Sequence, residues 1–223
     1  MKILALDTAT EACSAALSVD GTVSERYEVI GRGHAERLLP MVQELLAEAG
    51  LALAALDGIA FGRGPGSFTG LRIGASTVKG LALATGKPVV GVSTLEALAY
   101  NAFETPALIC PMLDARKAEV YAAIYRANGE GLFDVVMEEK ATTPAEFLGA
   151  IDGEALFLGD GLEEHAGFIR GRLQGRARFA PPNRQWVRAS SVALIGVKRH
   201  GRGERLDVAS FTPRYLRRSE AEI

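Results

Sequence analysis

The sequence predicts an α/β chain of two lobes built on one design, and three observations lead there. Residues 2–7 are a short apolar run closed by Asp7, and two strand-like runs, 13–19 and 22–29, flank Asp20-Gly21, a strong hairpin signal. The same order returns later: 108–113 runs into Asp114, and 119–125 and 132–138 flank a turn at Asn128-Gly129. Leu6-Asp7-Thr8 then matches Leu113-Asp114-Ala115, and Ala15-Ala16-Leu17 matches Ala122-Ala123-Ile124, so the two openings read as an internal repeat. The expected lobes are 1–104 and 105–223.

Each lobe continues with helices and further strands. Residues 35–49 carry Leu38, Leu39, Val42, Leu45, Leu46 and Ala49 at helical spacing, with Pro40 expected to mark a kink or a delayed start. Residues 57–61 and 87–92 are apolar strands, and 94–103 is helical. In the second lobe Thr143-Pro144 starts a helix, Ala155–Leu158 is a strand entering Gly159-Asp-Gly, and 163–172 is helical. A last helix covers 190–198, and the tail 211–218 is extended.

The most informative stretch is Gly62-Arg-Gly-Pro-Gly-Ser-Phe-Thr-Gly-Leu-Arg-Ile-Gly74, between a strand and a helix that runs to about residue 83. Its glycines permit positive φ and close backbone approach, and Ser67 or Thr69 can cap the helix. A Walker loop needs Gly-Lys-Ser/Thr, which is missing, and Gly62-x-Gly64 is followed by Ser67 rather than the third glycine of a dinucleotide fingerprint. A tight structural turn is therefore the expectation. Gly70, Gly74, Thr77 and Leu81 line one face of the helix. Glycine inside a helix costs roughly 1 kcal/mol against alanine. Such a face implies close packing, either within the lobe or against another subunit.

Bulk properties exclude several classes. The chain has 223 residues, 48% hydrophobic and 23% charged, with no apolar run near the roughly 20 residues of a membrane span. Two cysteines, Cys13 and Cys110, each lie in an apolar run, which fits a reducing, cytoplasmic setting. The net charge is −2, yet from His165 onward there are 13 Lys+Arg against 4 Asp+Glu. That basic third is either a solvated face or a surface for RNA, with Arg176, Arg178 and Arg184 as the residues to test.

With these motifs in view, the sequence resembles the TsaB (YeaZ) family. The resemblance rests on Leu6-Asp-Thr-Ala-Thr, His34-Ala-Glu-Arg-Leu-Leu-Pro, Gly64-Pro-Gly-Ser-Phe-Thr-Gly-Leu-Arg-Ile-Gly, Gly91-Val-Ser-Thr-Leu-Glu-Ala-Leu-Ala, Leu113-Asp-Ala-Arg and Pro213-Arg-Tyr-Leu-Arg. It implies an actin-like ATPase fold (ribonuclease H-like, duplicated), two lobes each with a mixed sheet flanked by helices. It also implies a non-catalytic, dimerizing subunit that activates TsaD for threonylcarbamoyl transfer to adenosine 37 of tRNAs. TsaE, an ATPase, would join the assembly, the chain alone would pair with itself, and tRNA would be met through the complex. TsaC-type enzymes are the implied source of threonylcarbamoyl-AMP.

The implied interface is formed by the first two helices, through His34, Leu38, Met41, Val42, Leu45, Gly70, Leu71, Ile73, Gly74, Thr77, Val78 and Leu81. In the TsaD relatives two histidines after the valine-rich strand hold a metal; Thr94 and Leu98 stand in their places. No catalytic or metal residue is expected here, and no tightly bound cofactor; ATP and a metal belong to the partners. Asp7, Thr8 and Asp114 sit where a nucleotide phosphate would lie in this fold, and Asp7 is expected to act as a structural acid. A small actin-fold kinase is the alternative, for which Gly159-Asp-Gly161 is the one weak adenosine motif, and a peptidase is a further one.

Overall fold

The computed structural model describes residues 1–217; Arg218 of the expected tail lies outside the described residues. The chain divides into two units, Met1–Ala97 with Val187–Tyr215, and Leu98–Trp186 with Leu216 and Arg217.

In the first unit the strands are β1 (Lys2–Asp7), β2 (Ala12–Val19), β3 (Thr22–Val29), β4 (Gly58–Gly62) and β5 (Val89–Val92), in the order β3-β2-β1-β4-β5. β1 pairs antiparallel with β2 and parallel with β4. The β2–β3 hairpin turns at Asp20 (φ 48°) and Gly21 (φ 93°), the double left-handed geometry that suits the twist of a hairpin. Alternation along β1 sends Leu4 and Leu6 to one face, where they meet Leu38, Met41, Val42 and Leu45 of α1 (His34–Glu48) and Val78 of α2 (Phe68–Thr85). Ile3 faces the other way, toward α6 (Ala189–Gly201). There Gly196 lets the helix lie close, since a Cβ on it would come within 2.5 Å of the Ala60 Cβ.

α6 is also anchored by charge. Arg188, just before it, donates twice to Glu25 Oε2 (2.9 and 2.5 Å), and the Ser190 amide donates to Glu25 Oε1 (2.9 Å). Arg199 bonds Glu96 Oε2 (2.6 Å) and the Gly91 carbonyl (2.8 Å).

The second unit repeats the plan with β6 (Leu108–Asp114), β7 (Val120–Ala127), β8 (Phe133–Thr142), β9 (Ala155–Leu158) and β10 (Ala177–Phe179), in the order β10-β9-β6-β7-β8. Its pairings are again antiparallel from β6 to β7 and parallel from β6 to β9. α4 (Pro144–Gly149) and α5 (Leu162–Leu173) bury Phe147, Leu148, Ile169 and Leu173 against Cys110, Ile124 and Phe157. The same five-strand order occurring twice is the duplicated actin-like topology.

Several sequence expectations need correction. The C-terminal helix returns to the first unit, although the lobe boundary at 104/105 put it in the second. α1 starts at His34 and runs through Pro40, so its start is not delayed. The second hairpin is held by Asn128, whose Oδ1 accepts from the amides of Glu130 and Leu132 (both 3.1 Å), and the left-handed glycine is Gly131, not Gly129. β10 was not expected. α3 (Thr94–Tyr100) is shorter than the expected 94–103.

Because Gly196 touches Ala60, Gly196→Ala is expected to lower unfolding stability by about 1–3 kcal/mol through overpacking. That sign opposes alanine's helix-propensity gain of about 1 kcal/mol. Urea unfolding of the two proteins measures it.

Candidate functional site: the glycine loop and the outer face of α2

β1 ends in a turn, Asp7-Thr8-Ala9, and the loop from β4 to α2 lies directly on it. The Ser67 amide donates to the Ala9 carbonyl (2.7 Å), and the Thr8 hydroxyl donates to the Gly70 carbonyl (2.7 Å). Four glycines at intervals of four face this one turn. A Cβ on Gly62 would overlap Asp7 Oδ2, on Gly66 the Ala9 carbonyl, and on Gly70 the Thr8 carbonyl. On Gly74 it would stand 2.6 Å from Thr8 Oγ1. Ser67 caps α2 by accepting from the Gly70 amide (3.3 Å). The helix face of small residues thus packs inside its own unit, and the partner it admits is the β1 turn.

Asp7 and Thr8 are both 1% exposed. Asp7 Oδ1 accepts the Ala9 amide (3.1 Å), and Oδ2 has no hydrogen-bond partner among the described residues. Burial pushes this carboxyl up to about 7, against the smaller opposing effect of the Ala9 amide. As folded, neither side chain is open to a phosphate or a metal ion.

The loop is pinned from a second side. Thr94, fully buried, donates its amide to the Gly64 carbonyl (2.9 Å) and accepts the Gly64 amide on its hydroxyl (3.1 Å). Leu98 is also fully buried. In the second unit, Asp114 Oδ1 accepts the Arg116 amide (2.7 Å), its Oδ2 pairs with the Arg116 guanidinium (2.9 Å), and its amide donates to Asp160 Oδ1 (3.0 Å). Burial pushes Asp160 up to about 6. Sequence reasoning reached Asp160 only as the middle of the weak Gly159-Asp-Gly161 motif; its position at the end of the strand beside β6 was the further signal. Gly159-Asp-Gly161 packs against β6, with a Cβ on Gly159 overlapping the Met112 carbonyl, so the glycines serve close packing. Among the described residues no group of three or more His, Cys, Asp or Glu is placed to hold a metal ion.

Comparison with known proteins gives this arrangement a family. Residues 26–223 match the family model described as TsaD: tRNA N6-adenosine threonylcarbamoyltransferase. The tRNA threonylcarbamoyladenosine biosynthesis protein TsaB of Escherichia coli is 43% identical over 72% of this chain and 72% of its own length. TsaB of Bacillus subtilis is 34% identical over 100% of this chain and 96% of its own. The solved structure of YeaZ from Pseudomonas aeruginosa is 38% identical and superposes with a TM-score of 0.82 over 96% of this chain and 99% of that one. The chain belongs to the TsaB (YeaZ) family.

The interface expected for a TsaB-family chain needs revision. His34, Leu38, Met41, Val42, Leu45, Gly70, Leu71, Gly74 and Val78 are all buried within the first unit. His34 Nε2 donates to the Thr10 carbonyl (2.9 Å). Only Ile73, Thr77 and Leu81 of the twelve are partly exposed. What α2 turns outward is a neighbouring strip, Thr69, Ile73, Ser76, Thr77, Gly80, Leu83 and Ala84, with the exposed Arg72 at its edge. Leu83 is 78% exposed, and a Cβ on Gly80 would meet nothing within 4 Å. At the start of the helix Phe68 packs at a tilt against Tyr215 (5.1 Å between centroids) beneath the Arg72 guanidinium (4.0 Å). No helix among the described residues is long and apolar enough to cross a membrane.

Asp7 gives a pH signature. Its folded pKa is raised, to about 7, so between about pH 4 and 7 the folded chain holds a proton that the unfolded chain has lost. Stability from this group is therefore greatest below the unfolded pKa and falls as pH rises through 7. The full effect is up to about 4 kcal/mol. Asp7→Asn is expected to flatten that slope, read as urea midpoints at pH 5 and pH 8; equal slopes in both proteins would refute it.

Proposed function

We propose that this chain is a non-catalytic subunit that pairs with a TsaD-family protein and activates it for threonylcarbamoyl transfer to N6 of adenosine 37 in tRNAs reading ANN codons. A TsaE-type ATPase joins the assembly, ATP and metal are handled by the partners, and the chain alone pairs with itself in the cytoplasm.

One observation carries the non-catalytic reading. Where the resemblance places two metal-holding histidines in TsaD relatives, this chain has a hydroxyl already hydrogen-bonded to Gly64 and a buried isobutyl group. Neither supplies the imidazole nitrogens such a site uses. The nearby acid of the nucleotide region, Asp7, is closed under the glycine loop. What remains outward on α2 is a strip of small and apolar residues edged by Arg72, a composition that suits an interface. Ile73, Thr77 and Leu81 stay in the proposed surface, joined by Thr69, Ser76, Gly80 and Leu83.

Gly80→Arg tests it. The site opens to free space, so the substitution keeps the fold and gains helix propensity of up to about 1 kcal/mol. It places a guanidinium in the proposed contact. The variant is expected to lose co-elution with the TsaD-family partner and to lose transfer activity, with an unchanged or higher melting temperature. Normal pairing would place the interface elsewhere. Gly74→Leu serves as the contrast: it strikes Thr8 and is expected to destabilise the unit itself, by about 1–3 kcal/mol.

A further inference from the structure

We infer that the C-terminal half of α5, with the turn and strand that follow it, binds the sugar–phosphate backbone of a folded RNA. The basic C-terminal third does not act as one patch. Arg188 is held by Glu25, Arg199 by Glu96, and Arg217 by Glu119, so part of the positive charge is used internally. Of the other described cations in that third, Lys198, Arg202, Arg205 and Arg214 lie in the first unit and five arginines in the second. Residues 167–186 contain five arginines and no acid, while the first turn of α5 carries the exposed Glu163 and Glu164. Arg172, Arg176 and Arg184 are exposed and have no side-chain partner among the described residues. Arg178 meets Glu154 in an exposed pair (2.9 Å), and Arg170 lies over the Phe179 ring (4.6 Å).

The helix between these arginines has an unusual outer line. α5 buries Leu162, Ile169 and Leu173, and Gly167 and Gly171 fall on the opposite side, followed by Gly175 in the turn. A Cβ on any of the three would meet nothing within 4 Å. Internal packing explains Gly70, Gly74 and Gly196, but it gives no reason for glycine here, where helix propensity opposes it. Glycine at such a site leaves bare backbone for a group arriving from outside. Arg170 and Arg172 flank that line, and guanidinium groups pair with phosphate through two parallel N–H bonds. Phe168, 49% exposed, adds an aromatic surface on which a base can stack. The arginines cluster from Arg170 onward, beyond the exposed Glu163 and Glu164 of the first turn of α5. Charge complementarity at that end therefore selects a polyanion, and the aromatic beside the arginines selects RNA over an acidic protein.

The choice of tRNA as that RNA rests on the function proposed above. Binding is read without transfer, so its failure would leave the assembly reading standing. The full chain, alone and paired with its TsaD-family partner, is titrated with an unmodified tRNA transcript by fluorescence anisotropy between 50 and 200 mM salt. Arg172→Glu/Arg176→Glu is expected to bind at least tenfold more weakly, with a salt slope shallower by about 2. Gly171→Leu is expected to raise the melting temperature and also to weaken binding, which a general loss of positive charge cannot imitate. Parental affinity in both variants would overturn the proposal. So would a lower melting temperature for Gly171→Leu, because Gly171 would then be packed. Loss of a protein partner with RNA affinity intact would assign the face to an acidic protein and overturn it equally.

Discussion

The structure of the first unit depends on one close approach, the seating of the β4–α2 loop on the turn that ends β1. Asp7, Thr8 and Ala9 occupy the volume that side chains at positions 62, 66, 70 and 74 would fill, and two 2.7 Å hydrogen bonds close the contact. Thr94 holds the loop from behind through Gly64. The lock explains why a helix carries two glycines at a cost of roughly 1 kcal/mol each: the alternative is an overlap with backbone. It also explains a buried carboxyl with one oxygen unpaired, because Asp7 is trapped beneath Gly62.

The family resemblance leads to the expectation of a nucleotide phosphate at the turn after the first strand. Here it is covered by the chain's own loop. A region that serves ligand binding in an open arrangement serves rigidity in a closed one, and the rigid loop sets the start of α2. That start fixes which residues of α2 point outward, so the lock and the proposed partner surface are two ends of the same element.

Much of the fold was legible in the sequence because its signals are local. Asp20-Gly21 marks a hairpin by turn chemistry alone, and the apolar runs ending in Asp7 and Asp114 mark equivalent strands. β10 was not legible, since three residues among arginines carry no period. The unit to which α6 belongs was also hidden, because a helix's apolar stripe does not say which sheet it covers. Nine of the twelve residues expected at the interface are buried for a related reason. Periodicity finds the apolar stripe, and in α1 that stripe, Leu38, Met41, Val42 and Leu45, is what faces the core. The exposed strip of α2 is made of small residues beside Arg72 rather than strongly apolar ones, and it becomes visible only after burial is known. The glycines implied close packing, within the lobe or against a second subunit, and their neighbour in the structure, Thr8, lies too far away in sequence to be inferred from spacing.

The central claim is that no titratable group of this chain takes part in the chemistry of the assembly. Single-turnover threonylcarbamoyl transfer by the complex reconstituted with the Asp7→Asn/Asp114→Asn chain tests it most directly. The account predicts a transfer rate equal to that of the parental complex, with assembly checked by light scattering. A loss of several orders of magnitude with the complex intact would place one of these carboxyls at the reacting atoms and contradict it.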